Sequence, residues 1–115
     1  LLLNTQRRNA EYYQVVFTPE SEEQLLELYR YIAAAASPKT AFDYIEAIVA
    51  YCENSRTFPL RGTKRDDLRP GLRVTHYRKR VSIAFDVTAD VVSIIGIFYG
   101  GQNYESLLRD DVEKN

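Results

Sequence analysis

Soft metal ligands are almost absent from this chain, which has one cysteine, Cys52, and one histidine, His76, in 115 residues. An internal disulfide is therefore impossible, and no set of thiolate and imidazole ligands can assemble a structural zinc site. A reducing compartment suits such a chain. Long hydrophobic runs are missing as well. The apolar stretches around Ser93, between Val91 and Tyr99, fall far short of the ~20 residues that a membrane span needs, so no segment is expected to cross a bilayer. Nor is there a glycine loop able to cradle a phosphate, because Gly100–Gly101 is too short. No metal and no organic cofactor are implied.

What is present is the composition of an ordinary globular protein, 45 % hydrophobic and 27 % charged, in a length that fits one domain of ~100 to 150 residues. The domain is expected to span residues 12–111, with 1–11 an N-terminal extension. Leu1–Leu2–Leu3 precede Arg7 and Arg8, the reverse of the order in a secretory signal. A cytoplasmic location is the expectation.

The net charge of −1 hides a strong asymmetry. Residues 1–55 and 81–115 each carry −4, whereas residues 56–80 carry +7 and hold nine of the fifteen cations: Arg56, Arg61, Lys64, Arg65, Arg69, Arg73, Arg78, Lys79 and Arg80. Such clustering is either a solvated loop with a charged strand end or a surface for an anionic partner.

Periodicity supplies the elements. Tyr12 to Thr18 is aromatic and β-branched, with Tyr13, Val15 and Phe17 on one face, and reads as a strand. Thr18 and Pro19 suit a helix start, and Glu20, Glu22 and Glu23 favour the positive end of its dipole. Leu25, Leu28, Tyr29 and Ile32 then follow helical spacing. Ser37–Pro38 repeats the device and starts a second helix through about Asn54, striped by Ala41, Ile45, Ile48, Val49 and Cys52. The short break between them predicts an antiparallel hairpin.

A basic, aperiodic connection follows from Arg56 to Gly71, closed by a Pro70–Gly71 type II turn. Three strands come next: Leu72–Arg78, Val81–Val87 and Val91–Tyr99. The turn near Lys79 lacks the Gly or Asn of a tight hairpin. Gly96 marks a close approach or a bulge. Tyr104, Leu107 and Leu108 suit a short third helix within 103–113. The expected fold is α+β: an N-terminal strand and a helical hairpin on a three- to four-stranded antiparallel sheet, with the far face of the sheet open.

This order of elements, the strings VVFTPESEEQL, YIAAA and FPLRG, the turn LRPGLRV and the close GIFYGGQNYESLL strongly resemble the ParE branch of the RelE/ParE toxin superfamily. The resemblance covers roughly residues 13 to 108. It implies the toxin of a bacterial type II toxin–antitoxin pair, neutralised by direct contact with a cognate antitoxin encoded beside it. ParE-like members poison DNA gyrase by binding, whereas RelE-like members cleave mRNA on the ribosome.

RNA cleavage needs a base for the 2′-hydroxyl, an acid for the leaving oxygen and cations for the phosphorane charge. The candidate set is Lys64, Arg65 and Arg73 with Tyr99 or Tyr104, but the basic–aromatic pair expected at the chain end is missing: after Tyr104 the next cation is Arg109. His76 shares a strand face with Leu72 and Val74 and reads as a packed, hydrogen-bonded histidine. Arg73 is read as an anchor for the antitoxin or a partner for Asp86, and Cys52 as a core residue. The deficit favours a binder that inhibits gyrase. Two alternatives stay open, a ribosome-dependent endoribonuclease and a degenerate member that only binds antitoxin. The expected partner is an antitoxin with an acidic, partly disordered tail, held by Arg61, Arg69, Arg73, Arg78 and Arg80 with Leu25 and Tyr29, in a hetero-oligomer. Neither a membrane nor direct DNA binding is expected.

Overall fold

The computed structural model of the chain describes residues 12–100 and 102–109. Strand β1 (Gln14–Phe17) leads through Thr18 into helix α1 (Pro19–Ala35). The Thr18 hydroxyl accepts the Ser21 amide at 3.2 Å and Pro19 occupies the first turn, so the predicted cap forms. Ser37 does the same for helix α2 (Pro38–Glu53), accepting the Thr40 amide at 3.1 Å. A 3₁₀ turn, Asn54–Arg56, ends the hairpin.

Strands β2 (Thr63–Lys64), β3 (Leu72–Tyr77), β4 (Val81–Thr88) and β5 (Val91–Tyr99) follow, then a short helix α3 (Tyr104–Leu108). All five strands form one sheet in the order β1-β5-β4-β3-β2. The meander β3-β4-β5 is antiparallel as expected, but β1 joins β5 in parallel and β2 adds a further edge. The expected three- to four-stranded antiparallel sheet is thus exceeded. A strand as brief as β2 leaves no periodic signal, and the direction of β1 is set by where α1 must go rather than by its own residues.

The helical hairpin covers one face. Leu28, Ile48 and Cys52 from the helices meet Val81, Ile83, Phe85, Val92, Ile94 and Ile97 from the sheet, with Tyr13, Val15 and Phe17 of the first strand packed alongside. Phe85 is 1 % exposed, and cutting such a ring to alanine costs ~3–5 kcal/mol.

The far face, expected to be open, carries a second core. Leu72, Val74, Ala84 and Phe98 of the sheet are covered by Leu68 of the basic connection and Leu108 of α3. An isolated leucine in an aperiodic loop gives no sequence signal that it folds back over a sheet. Helix α3 packs through Tyr104 and Leu108, while Leu107 stays exposed. Residues 110 and 111, included in the expected domain, lie outside the described residues.

Two turns shape what the sheet presents. Arg69 to Leu72 closes with the Leu72 amide on the Arg69 carbonyl and Gly71 at φ +80°, the type II geometry predicted for Pro70–Gly71. Between β3 and β4 the Arg80 amide reaches the Tyr77 carbonyl, and Arg78 and Lys79 lie at φ 53° and 62°. Two consecutive left-handed residues are what a primed turn demands, and non-glycine residues there cost ~1–2 kcal/mol each. Gly96 sits at the irregularity in the β4–β5 register, and a Cβ added to it would lie 2.6 Å from the Phe98 ring. The bulge expected there exists.

Candidate functional site

The clustered cations do not form one surface. Arg61 and Arg73 are turned inward. The Arg61 guanidinium lies 3.9 Å over the Tyr51 ring, donates to the Tyr51 carbonyl, and reaches Ser55 Oγ at 3.1 Å. Arg73 donates from Nε to the Arg61 carbonyl at 3.1 Å and from Nη2 to the Leu60 carbonyl at 2.5 Å. Arg61 therefore caps a carbonyl in the last turn of α2, and Arg73 spends its donors on carbonyls of the aperiodic loop that lack strand partners. Arg73 does not pair with Asp86, which sits opposite Leu72 in the register and so faces the other side of the sheet.

Arg65 is consumed by anions. It grips Asp67 with two hydrogen bonds of 2.9 and 2.8 Å and reaches Glu105 of α3 at 3.0 Å. Hydrogen bonding to Asp67 and then Glu105 raises the Arg65 pKa, and the same contact holds the Asp67 carboxyl below the usual carboxylate range. Lys64 lies 3.8 Å from Asp66 in an exposed pair. Arg69 is half-buried beside Leu107 and Leu108 and has no ion pair among the described residues.

Arg78, Lys79 and Arg80 are exposed at the β3–β4 turn, without ion pairs among the described residues. Arg78 and Arg80 are the two residues of this turn that the sequence analysis named for antitoxin binding, and Lys79 stands between them. The Arg78 guanidinium lies 5.3 Å from the Tyr77 ring. Next to it, Thr40, Asp43, Tyr44 and Ala47 of α2 and Tyr77 line a shallow pocket of about 310 Å³. Tyr44 and Tyr77 belong to a file of rings, Tyr31–Tyr99–Tyr44–Tyr77–Tyr51, with neighbouring centroids 5.2 to 6.3 Å apart along the seam between hairpin and sheet. Burial raises the Tyr44 phenol above its ordinary value, and its neighbours Tyr99 and Tyr77 add to the effect. Of the two α1 residues chosen from the sequence, Leu25 packs against the first core and Tyr29 is half-buried.

The candidate nuclease residues are not brought together. Tyr99 lies with the first core and Tyr104 with the second, on opposite faces of the sheet. Arg73 and its register partner Lys64 lie on the hairpin side, as strand alternation places them apart from Leu72 and Val74. Arg65 is tied to Glu105, beside Tyr104. The structure does join a pair that sequence reasoning missed. His76 Nδ1 lies 3.1 Å from Ser82 Oγ, and its ring is 6.2 Å from that of Tyr104. His76 is hydrogen-bonded as expected but exposed, not packed, because the second core stops short of the end of β3. Cys52 is buried, and burial pushes its thiol up to about 12, which removes it as a nucleophile near neutral pH.

Among the described residues no group of three or more His, Cys, Asp or Glu side chains could hold a metal ion, and no helix is long and apolar enough to cross a membrane.

Solved structures resemble this fold, among them two toxin–antitoxin systems. One is the chromosomal ParDE toxin–antitoxin system of P. aeruginosa, with a TM-score of 0.69 at 19 % identity over 78 % of this chain and 98 % of that one. The other is the RelBE2 toxin–antitoxin complex of Mycobacterium tuberculosis, with a TM-score of 0.58 at 19 % identity over 79 % and 94 % of the two chains. No curated protein matches the sequence. Residues 15–104 match the model of the ParE toxin of the type II toxin–antitoxin system parDE, a span that holds most of both cores and the cationic turn, and the chain belongs to the ParE toxin family.

Proposed function

We propose that this chain acts by gripping other proteins: it is held inactive by a cognate antitoxin and, when released, inhibits DNA gyrase. The observation that carries the reading is the split among its cations. Those that an RNA-cleaving site would need are spent on carbonyls and carboxylates or lie on opposite faces of the sheet, whereas Arg78, Lys79 and Arg80 are presented together on a strained turn.

The antitoxin segment that fits is acidic, with carboxylates for the turn and an apolar side chain for the pocket between Tyr44 and Tyr77. Arg69 extends the same preference to the far side of the sheet. No bond-breaking step is required of the chain.

A second reading rests on the approach of His76 to Tyr104, which supplies an imidazole and a phenol within one patch. It makes the chain a ribosome-dependent endoribonuclease. One assay separates the two. The purified chain is added to a gyrase supercoiling reaction and, separately, to ribosomes translating a defined mRNA. Loss of supercoiling with intact mRNA is the expected result. Codon-position cuts that vanish in His76→Ala would transfer the chain to the nuclease class, and no effect in either assay, with antitoxin binding retained, would mark a toxin that has lost its activity.

A further inference from the structure

Among the described residues, large apolar side chains that stand alone in solvent, as Phe42 does on α2 and Leu107 on α3, need no explanation. Phe58 and Leu60 are different. They flank Pro59 in the loop between the 3₁₀ turn and β2, and they are 60 % and 64 % exposed. The loop that presents them is tied down along its length. Arg73 donates to the Leu60 and Arg61 carbonyls, Arg61 donates to the Tyr51 carbonyl and to Ser55 Oγ, and the Thr57 amide and hydroxyl both donate to the Asn54 carbonyl. Gly62, at φ +81°, lies so close to β3 that a Cβ there would come within 2.5 Å of the Val74 carbonyl oxygen.

Two arginines and a close backbone approach thus fix a loop whose apolar side chains face water. Pro59 locks its own φ and restricts that of Phe58, so little freedom is left to lose when a partner buries the pair. A fixed aromatic side chain with an aliphatic neighbour is the kind of anchor that a partner's pocket receives. Charge narrows the choice of partner. Residues 54–65 hold four cations and no carboxylate. Arg61 and Arg65 are spent within the molecule, which leaves Arg56 at one end of the loop without an ion pair among the described residues and Lys64 at the other, 3.8 Å from Asp66 in an exposed contact. A second copy seated on its own patch would set these cations against each other. Residues 1–11 carry the wrong sign as well, with Arg7 and Arg8 against the single acid Glu11. The occupant that fits is an acidic partner. The antitoxin is already accounted for at the cationic turn, beside Thr40 and Asp43 in the first turns of α2. The loop leaves the other end of that helix, whose 16 residues run about 24 Å.

We infer that Phe58, Pro59 and Leu60 are the anchor by which the chain engages its target, DNA gyrase, seating both exposed side chains in an apolar cleft rimmed by carboxylates that meet Arg56 and Lys64. This rests on the gyrase reading above and adds to it the surface used and the chemistry of the receiving site. Arg61 and Arg73 are positioning residues here, because they hold the loop and leave the contact to its side chains. Inhibition and neutralisation then run through opposite ends of α2 and are separable by substitution.

The test titrates the full chain into a gyrase supercoiling reaction and, in parallel, into the antitoxin encoded beside it. Joint Phe58→Ser and Leu60→Ser is expected to raise the concentration needed for half-inhibition by more than ~tenfold, while the antitoxin dissociation constant stays within ~threefold and the melting temperature does not fall. Arg56→Glu with Lys64→Glu leaves both anchors in place and is expected to raise the half-inhibiting concentration by ~fivefold at low salt, a gap that closes as salt is added. If the parent inhibits gyrase and the serine variant inhibits equally well, the docking loop is overturned and the gyrase reading stands. A parent that leaves supercoiling untouched overturns both. Loss of antitoxin affinity in step with loss of inhibition assigns the loop to the antitoxin. Self-association of the parent that the serine variant lacks, seen by sedimentation, assigns it to a second copy. Either result overturns gyrase as the occupant.

Discussion

The basic connection and the β3–β4 turn carry the same kind of side chain and use it in opposite ways. Along residues 61–73 three of the five cations are bound tightly within the molecule: Arg61 and Arg73 tie down carbonyls of Tyr51, Leu60 and Arg61, and Arg65 closes a bridge from the loop to α3. At residues 78–80 they contact no anion among the described residues and face solvent. A local excess of charge is therefore not by itself a binding surface. Whether a guanidinium is available depends on whether nearby backbone has already claimed its donors.

Substitutions can break this contrast, and the largest effect belongs to the inward set. Arg61→Ala removes hydrogen bonds, a ring contact and buried stem packing together, and is expected to lower stability by ~2–3 kcal/mol in urea denaturation. Its antitoxin affinity, measured at a temperature where the variant is folded, should stay within ~threefold of the parent. Joint reversal of Arg78 and Arg80 to Glu should do the opposite. Binding is expected to weaken by well over ~tenfold, or ~1.4 kcal/mol and more, with the melting temperature nearly unchanged. A double variant with intact affinity would remove the turn from the interface.

Smaller effects sharpen the same contrast. Lys79→Gly relieves one left-handed non-glycine residue and should stabilise the chain by ~1 kcal/mol while weakening antitoxin binding slightly, which separates strain from charge. The smallest effect concerns the bridge at Asp67. Its carboxyl pKa is lowered in the folded chain, so its contribution is present above the ordinary carboxylate range and fades as pH falls through the folded value. Asp67→Asn should therefore lower stability slightly at neutral pH, where the contribution is present, and converge with the parent as pH falls through the folded value, flattening the acid limb in denaturation followed across pH 2–7 with both proteins side by side.

Much of this arrangement was legible from the residues. Thr18–Pro19 and Ser37–Pro38 mark both helix starts because a hydroxyl cap and a first-turn proline act locally. The alternation through Val81, Ile83, Phe85 and Val87 marks the central strand because one face is buried. What escaped is non-local. Nothing near Leu68 or Leu108 announces that they meet over Val74 and Phe98, and so the second face was expected to be bare. Nothing in the run from Arg61 to Arg73 shows which cations will meet carbonyls, because those carbonyls are orphaned only once the loop has folded. At the site, the face of Arg73 followed from alternation, but its partners did not. The proximity of His76 and Tyr104 depends on where α3 returns, which a helix as short as Tyr104–Leu108 cannot declare.

The file of five tyrosines along the seam has a practical consequence. The chain has no tryptophan, so its near-ultraviolet circular dichroism and emission arise mainly from tyrosine. With the rings coupled in sequence across α1, α2, β3 and β5, any motion that parts the hairpin from the sheet should quench or restore a chromophore the protein already owns, and conformational changes on partner binding can be followed without a label.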